Sequence, residues 1–114
     1  MRVCKSHEMK KKEDRPGMKA TIVHGVGLTV TRWEMETGAV LADHSHHHAQ
    51  ITYIESGRYK FRVEGREPYE AAAGDFLIFE PNEKHGGDVL ESGIVMDAFC
   101  PARDDFKKEL GWED

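Results

Sequence analysis

Four histidines stand within five residues near the middle of the chain, at His44, His46, His47 and His48. A purification tag would place such a run at a terminus, and here it lies between two segments with strand patterns. Side chains at positions i and i+2 of a strand project from the same face, about 6.6 Å apart at the backbone. Two imidazoles so placed, those of His44 and His46, can converge on one ion at about 2.1 Å each. The run therefore predicts a metal site, with a solvated loop as the alternative.

The spacing around this run is more specific than the run itself. Residues 38–57 read Gly-x5-His-x-His-x3-Gln-x6-Gly, and residues 74–85 read as a Gly-Asp strand that ends in a Pro turn and a third histidine. These two segments resemble the two motifs of the cupin superfamily. The resemblance implies an all-β fold, the cupin β-barrel, which is a double-stranded β-helix or jelly roll. It also implies one divalent transition metal ion with four protein ligands, namely His44, His46, Gln50 and His85.

Gln50 stands where many cupins carry a glutamate. Three imidazoles and one amide oxygen are all neutral, so they leave the charge of a divalent ion uncompensated, and the ion favours an anionic ligand such as a carboxylate or an enolate. Nitrogen-rich sites accept several metals, so nickel, zinc, iron, manganese and cobalt all stay open. His47 and His48 are assigned to the surface or to the surroundings of the ligands, and His7 and His24 to a tail and a turn.

Asp97 is conspicuous because its neighbours along the last predicted strand are apolar or small. A buried carboxylate is costly unless it is paired. Two interpretations follow: a structural carboxylate that caps a turn or pairs with an arginine, or an acid/base group that faces the metal.

The segment from Asp97 to Phe106 resembles the C-terminal part of the pectin-degradation cupins. That family linearises 4,5-unsaturated monouronates to 5-keto uronates and binds its metal through three His and one Gln. The resemblance implies that Asp97 and Arg103 are catalytic and that Phe99 and Arg103 contact the substrate. Ala49 departs from the pattern, because relatives often carry an acidic residue before the glutamine.

Short β-type runs, separated by turn residues every 8–12 positions, predict the strands of a sandwich or barrel. A short helix is expected from Pro101 to Gly111, with Phe106 and Leu110 packed against the barrel. Residues 1–15 carry six Lys or Arg and three Asp or Glu. We assign them to a charged, flexible N-terminal tail and residues 16–114 to one cupin domain.

The chain has 114 residues and a formal net charge of −5, which argues against nucleic acid as a partner. No apolar run approaches the roughly 18 residues that a membrane span needs. The N-terminus lacks the apolar region of a secretory signal, and Cys4 and Cys100 are expected to be free thiols, so we expect a cytoplasmic protein. Uncovered edge strands favour pairing of two chains. The resemblance to cupins, which commonly pair through such edges, likewise implies a homodimer.

Three functions stay open from the sequence. The first is a metal-dependent isomerase or lyase that acts on a small sugar acid. The second is a metal-dependent dioxygenase of the same fold, and the third is a cupin that binds a sugar acid without chemistry.

Overall fold

Ten β-strands and one α-helix make up residues 1–109, the part of the chain that the computed structural model describes. The strands are β1 (Lys12–Arg15), β2 (Met18–Gly25), β3 (Leu28–Met35), β4 (Val40–His44), β5 (Ala49–Ile54), β6 (Arg58–Val63), β7 (Tyr69–Ala72), β8 (Phe76–Phe79), β9 (His85–Glu91) and β10 (Gly93–Cys100). The helix α1 spans Asp104–Glu109, and a single 3-10 turn spans Ser6–Glu8. These elements confirm the predicted all-β class with one short C-terminal helix.

The strands form two antiparallel sheets. One has six strands in the order β1-β2-β3-β10-β5-β8, and the other has four in the order β4-β9-β6-β7. Because side chains alternate between the two faces of a strand, each sheet turns one face toward the other. Strand β10 lies between β3 and β5, in the middle of the larger sheet, so its inward side chains face the interior.

Residues from both sheets fill that interior. The apolar cluster contains Met18, Ala20, Ile22, Trp33, Ala39, Ile54, Tyr59, Ala71, Val89 and Val95. Ile22 and Ile54 are fully buried. A Cβ at Gly93 would overlap the carbonyl of Ser56, so a side chain there would push the start of β10 away from the turn between β5 and β6.

Four strands escaped the sequence analysis, namely β1, β4, β7 and β9. Strand β7 contains two alanines, and β9 begins with His85 followed by two glycines. Both residue types have low β-propensity. These strands therefore form because neighbouring strands pair with them, which a local pattern does not show.

The segment assigned to the tail reaches into the sheet. Lys12–Arg15 pairs with β2 and forms one edge of the six-stranded sheet. Its pairing is irregular between Glu13 and Arg15.

The helix begins at Asp104, three residues later than Pro101. The Arg103 backbone N–H donates to Thr29 Oγ1 at 2.8 Å, which holds this residue against β3 rather than in a helical turn. Phe106 packs against the core as expected, whereas Leu110 and Gly111 lie outside the described residues. Within residues 1–109, no helix has the length and apolar character that a membrane crossing requires.

Candidate metal centre

Strands β4 and β9 place two of the predicted ligands directly opposite each other. His44 pairs with His85 across the smaller sheet, after a register shift between Leu41 and His44. Gly86 permits this close approach, since a Cβ there would lie 2.7 Å from the carbonyl oxygen of Leu41. The ring centroids of the two histidines are 4.7 Å apart.

His46 reaches the same place from beyond the strand. β4 ends at His44, so the prediction that both residues belong to one strand is wrong, and His46 belongs to the loop before β5. Its ring centroid nevertheless lies 5.2 Å from that of His85. One ligand nitrogen from each of the three rings lies within 4.8 Å of the others.

Backbone carbonyls orient all three rings. The Nδ1 atoms of His44, His46 and His85 lie 3.0, 3.2 and 2.8 Å from the carbonyl oxygens of Ala42, His48 and Glu83. A neutral imidazole that donates from Nδ1 carries its lone pair on Nε2. The arrangement is the one by which proteins fix the tautomer and direction of metal-binding histidines.

Gln50 provides the test of whether a metal ion fits. Its Nε2 donates to Thr52 Oγ1 at 2.9 Å and to Asp97 Oδ1 at 3.3 Å, which turns its Oε1 toward His46 Nε2 at 3.0 Å. Two lone-pair atoms therefore face each other. Two ligand atoms about 2.1 Å from one ion and at right angles are about 3.0 Å apart, so the pair fits two ligands of one cation.

Burial favours the neutral form of two of the rings, which is the form that binds metals. Burial lowers the pKa of His46 to about 4, helped by the charge of Arg103. Burial also lowers the pKa of His44, with smaller contributions from His85, Arg103 and Arg15. Because metal ions compete with protons for imidazole nitrogen, rings that are neutral at pH 7 are ready to bind an ion.

Asp97 lies on the inner face of β10, beside Gln50. Its Oδ1 accepts from Thr52 Oγ1 at 2.6 Å, and its Oδ2 lies 3.4 Å from Thr31 Oγ1. Burial raises the pKa of the Asp97 carboxyl, and hydrogen bonds from the surrounding neutral groups offset part of that rise. Its partners are hydroxyl, amide and indole groups. Among the described residues, Asp97 is therefore not paired with an arginine, which was one of the two structural roles expected for it.

A cavity of about 320 Å³ opens between the sheets beside the histidines. All seven predicted site residues line it, namely His44, His46, Gln50, His85, Asp97, Phe99 and Arg103. Phe99 is buried and its ring centroid lies 5.8 Å from that of His46. The structure thus brings together every residue that the two sequence motifs and the C-terminal segment selected.

The guanidinium group of Arg103 is fixed by contacts within the protein. Its Nε and Nη2 donate to the two carboxylate oxygens of Asp105, at 2.9 and 2.7 Å. Its guanidinium carbon lies 4.6 Å from the ring centroid of Phe99 and 3.9 Å from that of Phe106. Arg103 lowers the pKa of Asp105, against the effect of burial.

The remaining histidines differ in burial and in the element to which they belong. His48 is only 4% exposed, so its assignment to the surface is wrong, but its carbonyl orients His46 as the alternative assignment allowed. His24 lies in β2 rather than in a turn; it is buried and bonds through Nδ1 to Thr29 Oγ1 at 2.8 Å. His7 is exposed in the 3-10 turn.

Sequence analysis missed several residues that support the site. Thr52 contacts both Gln50 and Asp97, and Trp33 donates through Nε1 to Thr31 at 2.8 Å. A signal for Thr52 was present, because it lies in a predicted strand two positions after Gln50, and side chains two positions apart in a strand share a face. Asp105 belongs to the C-terminal segment that carries the resemblance, but nothing in the sequence indicated that it pairs with Arg103.

Comparisons with known proteins agree with this architecture. A cupin from Shewanella frigidimarina described as RmlC-like is 26% identical, with 93% of this chain and 96% of that chain covered and a TM-score of 0.86. KdgF from Halomonas sp. is 31% identical, with 88% and 94% covered and a TM-score of 0.81. Oxalate decarboxylase from Bacillus subtilis shares the fold at 18% identity and a TM-score of 0.76, but only 29% of its length is covered.

No curated protein sequence matches the chain. The family model described as a cupin domain matches residues 31–96, which is more than half of the chain. The predicted cupin barrel is therefore confirmed, together with a three-histidine cluster of the kind that holds metal ions. This chain belongs to the cupin family.

Proposed function

We propose that this protein is a metal-dependent isomerase or lyase that opens a 4,5-unsaturated uronate to a 5-keto uronate. The observation that carries the proposal is Gln50, whose amide oxygen faces His46 while its amide nitrogen donates to Asp97. One side chain thus joins the candidate metal ligands to a carboxyl group in the same cavity. The 31% identity to KdgF supports the link to pectin degradation that the C-terminal segment implies.

Four residues would hold one divalent transition metal ion, namely His44, His46, Gln50 and His85. When bound, the ion would supply Lewis-acid stabilisation of negative charge that develops on a substrate oxygen. Since all four ligands are neutral, they leave that charge compensation to the substrate.

Asp97 carries the proton in this proposal. It accepts the proton of the hydroxyl group on C1 of the sugar, the bond between C1 and the ring oxygen breaks to leave an aldehyde, and the electron pair remains on oxygen as an enolate at C5. Asp97 then returns the proton to C4, which gives the 5-keto product. The reaction is an isomerisation and needs no further reactant.

Phe99 and Arg103 complete the wall of the cavity. Phe99 is buried beside His46 and Arg103, so it excludes water from one side of the substrate. Arg103 has two nitrogens bonded to Asp105, and its third, Nη1, would donate a hydrogen bond to a substrate oxygen.

Turnover of a panel of unsaturated uronates by the metal-loaded protein tests the proposal. Loss of the double-bond absorbance, together with appearance of a free aldehyde, is the expected result for at least one member of the panel. A protein that retains its metal and leaves every member unchanged would contradict the proposed reaction. Oxygen uptake measured in parallel identifies a dioxygenase.

One observation favours a second candidate function, a cupin that binds a sugar acid without chemistry. Thr52, Gln50 and Thr31 all direct hydrogen-bond donors to Asp97. A carboxylate that accepts so many bonds can serve to orient Gln50 alone. Substrate binding without turnover would support this candidate.

We further propose that two chains pair through the outer face of the six-stranded sheet. Phe76 and Ile78 on the edge strand β8 are each 69% exposed, and Ile51 on β5 is 50% exposed. Ile51 pairs with Ile78, and Tyr53 pairs with Phe76, so these side chains form one continuous apolar surface. Monomeric proteins rarely expose such a surface, and a second copy of the chain would cover it.

A further inference from the structure

The N-terminal strand β1 contains a bulge that redirects one arginine. Lys12 lies opposite Ala20, Glu13 opposite Lys19, and Arg15 opposite Met18, so Asp14 is an extra residue. Residues directly opposite each other in antiparallel strands share a face. Regular alternation would put Arg15 on the same face as Glu13, but the bulge puts it on the face of Met18, which is buried in the core. Bulges commonly re-aim a side chain in this way next to active sites.

As a result, Asp14 and Arg15 both line the cavity that holds the candidate metal ligands and Asp97. The Nε and Nη2 atoms of Arg15 each lie 3.2 Å from one oxygen of Asp14. This contact uses one edge of the guanidinium group and fixes its position. The Arg15 side chain lines the cavity and stays 37% exposed, so part of it remains open to a ligand.

The two arginines of the cavity differ in their freedom to bind an anion. Arg103 is 8% exposed, and both oxygens of Asp105 occupy its Nε and Nη2. A carboxylate is best held by two parallel N–H groups of one guanidinium, and Arg103 has already used that fork within the protein. Arg15 directs the same two nitrogens at a single oxygen of Asp14. Its side chain is much more exposed than that of Arg103, so it is the more available cation.

We propose that Arg15 is a specificity-determining residue that binds the carboxylate of the sugar-acid substrate at the mouth of the cavity. This inference rests on the proposed function for the identity of the substrate. It makes the N-terminal segment part of the binding site, although the two cupin motifs lie far from it in sequence. Arg15 acts in binding and takes no part in the proton transfer.

Binding of D-galacturonate and of D-galactose to the metal-loaded protein, measured by calorimetry, tests the inference. The two sugars differ only in that galacturonate carries a carboxylate. Arg15→Gln is expected to weaken galacturonate binding about tenfold, since it removes a charge-assisted hydrogen bond, and to leave galactose binding unchanged. Metal content and the melting temperature of the variant should match those of the wild type.

Lys12→Gln is the matched control, because Lys12 lies on the same strand and has the same charge but does not line the cavity. It should change galacturonate binding less than twofold. Equal losses in the two variants would show a general effect of charge and overturn the inference. It is likewise overturned if the wild type binds the two sugars equally, or if Arg15→Gln binds galacturonate as the wild type does.

The test separates this inference from the proposed reaction. A wild-type protein that opens no unsaturated uronate but loses galacturonate affinity in Arg15→Gln supports the carboxylate contact and contradicts the reaction. A protein that opens the ring while Arg15→Gln keeps its KM and its galacturonate affinity supports the reaction and contradicts the contact.

Discussion

Two rows of side chains on opposite faces of the six-stranded sheet carry opposite chemistry near the site. The inner face of β3, β5 and β10 presents Thr31, Gln50, Thr52 and Asp97 to the interior, whereas the outer face presents one apolar row across five strands. The members of that row, which pair in register, are Val23, Val30, Ala98, Ile51 and Ile78. A sheet usually buries its apolar face and exposes its polar one, so this sheet departs from the usual arrangement around the site.

The polar inner face is stable because its groups satisfy one another. Trp33 donates to Thr31 and Gln50 donates to Thr52. Both threonine hydroxyls then donate to Asp97, whose carboxylate is the terminal acceptor of the network. A buried polar group costs free energy when unpaired, and here the network also turns Gln50 Oε1 toward the histidines. The interior therefore keeps polar groups where they position the candidate site.

Among the variants of the inner face, loss of the histidine ligands should have the largest effect on metal content and turnover. The double variant His44→Ala/His46→Ala removes two of the four proposed ligands, so we expect it to lose its metal and all turnover. Elemental analysis of purified wild type and variant measures the metal content. Equal metal content in the two proteins would contradict the assignment.

Asp97→Asn keeps the shape of the side chain and removes the carboxylate. Removal of a positioned acid or base typically lowers rates by ~10²–10⁴, and we expect a fall in kcat within that range with the metal retained. The measurement is steady-state turnover of the best uronate substrate. Near-wild-type kcat would mean that Asp97 only orients Gln50.

Thr52→Val tests the network itself. It removes the hydroxyl that links Gln50 to Asp97, so we expect the free energy of unfolding to fall by about 1–3 kcal/mol. Metal affinity should fall by about 10–100-fold, as is usual when the support of a ligand is lost. Thr52→Ser, which keeps the hydroxyl, is the control and should retain most of both quantities in chelator competition and urea unfolding.

Ile51→Asp tests the outer face without touching the inner one. A charge in the middle of the apolar surface should separate the two chains, so the mass in light scattering should fall to the 13.0 kDa of one chain. Metal content should stay unchanged, and the free energy of unfolding of the monomer should change little. Val26→Asp, at a fully exposed position in the turn between β2 and β3, should leave the mass unaltered. A wild type that is itself monomeric would exclude the proposed pairing.

The sequence by itself selected the proposed ligands of the candidate site. The spacing from Gly38 to Gly57 and the segment that ends at His85 selected four residues that the fold brings together. Short β-type runs bounded by turn residues located six of the ten strands, because both strand length and turn chemistry are local properties of the chain. The alternation of side chains along a strand placed Asp97 and Phe99 on one face.

Only the tertiary structure decided which groups pair and where the other side chains point. The register that sets His44 opposite His85, and the bulge that turns Arg15 inward, depend on which strands meet. The sequence indicated that Arg103 is free to bind an anion. In the fold its guanidinium instead contacts two aromatic rings and donates two hydrogen bonds to Asp105. The physical reason is that a local pattern fixes the face of a residue within its own strand, whereas partner strands distant in sequence set register, burial and hydrogen-bond partners.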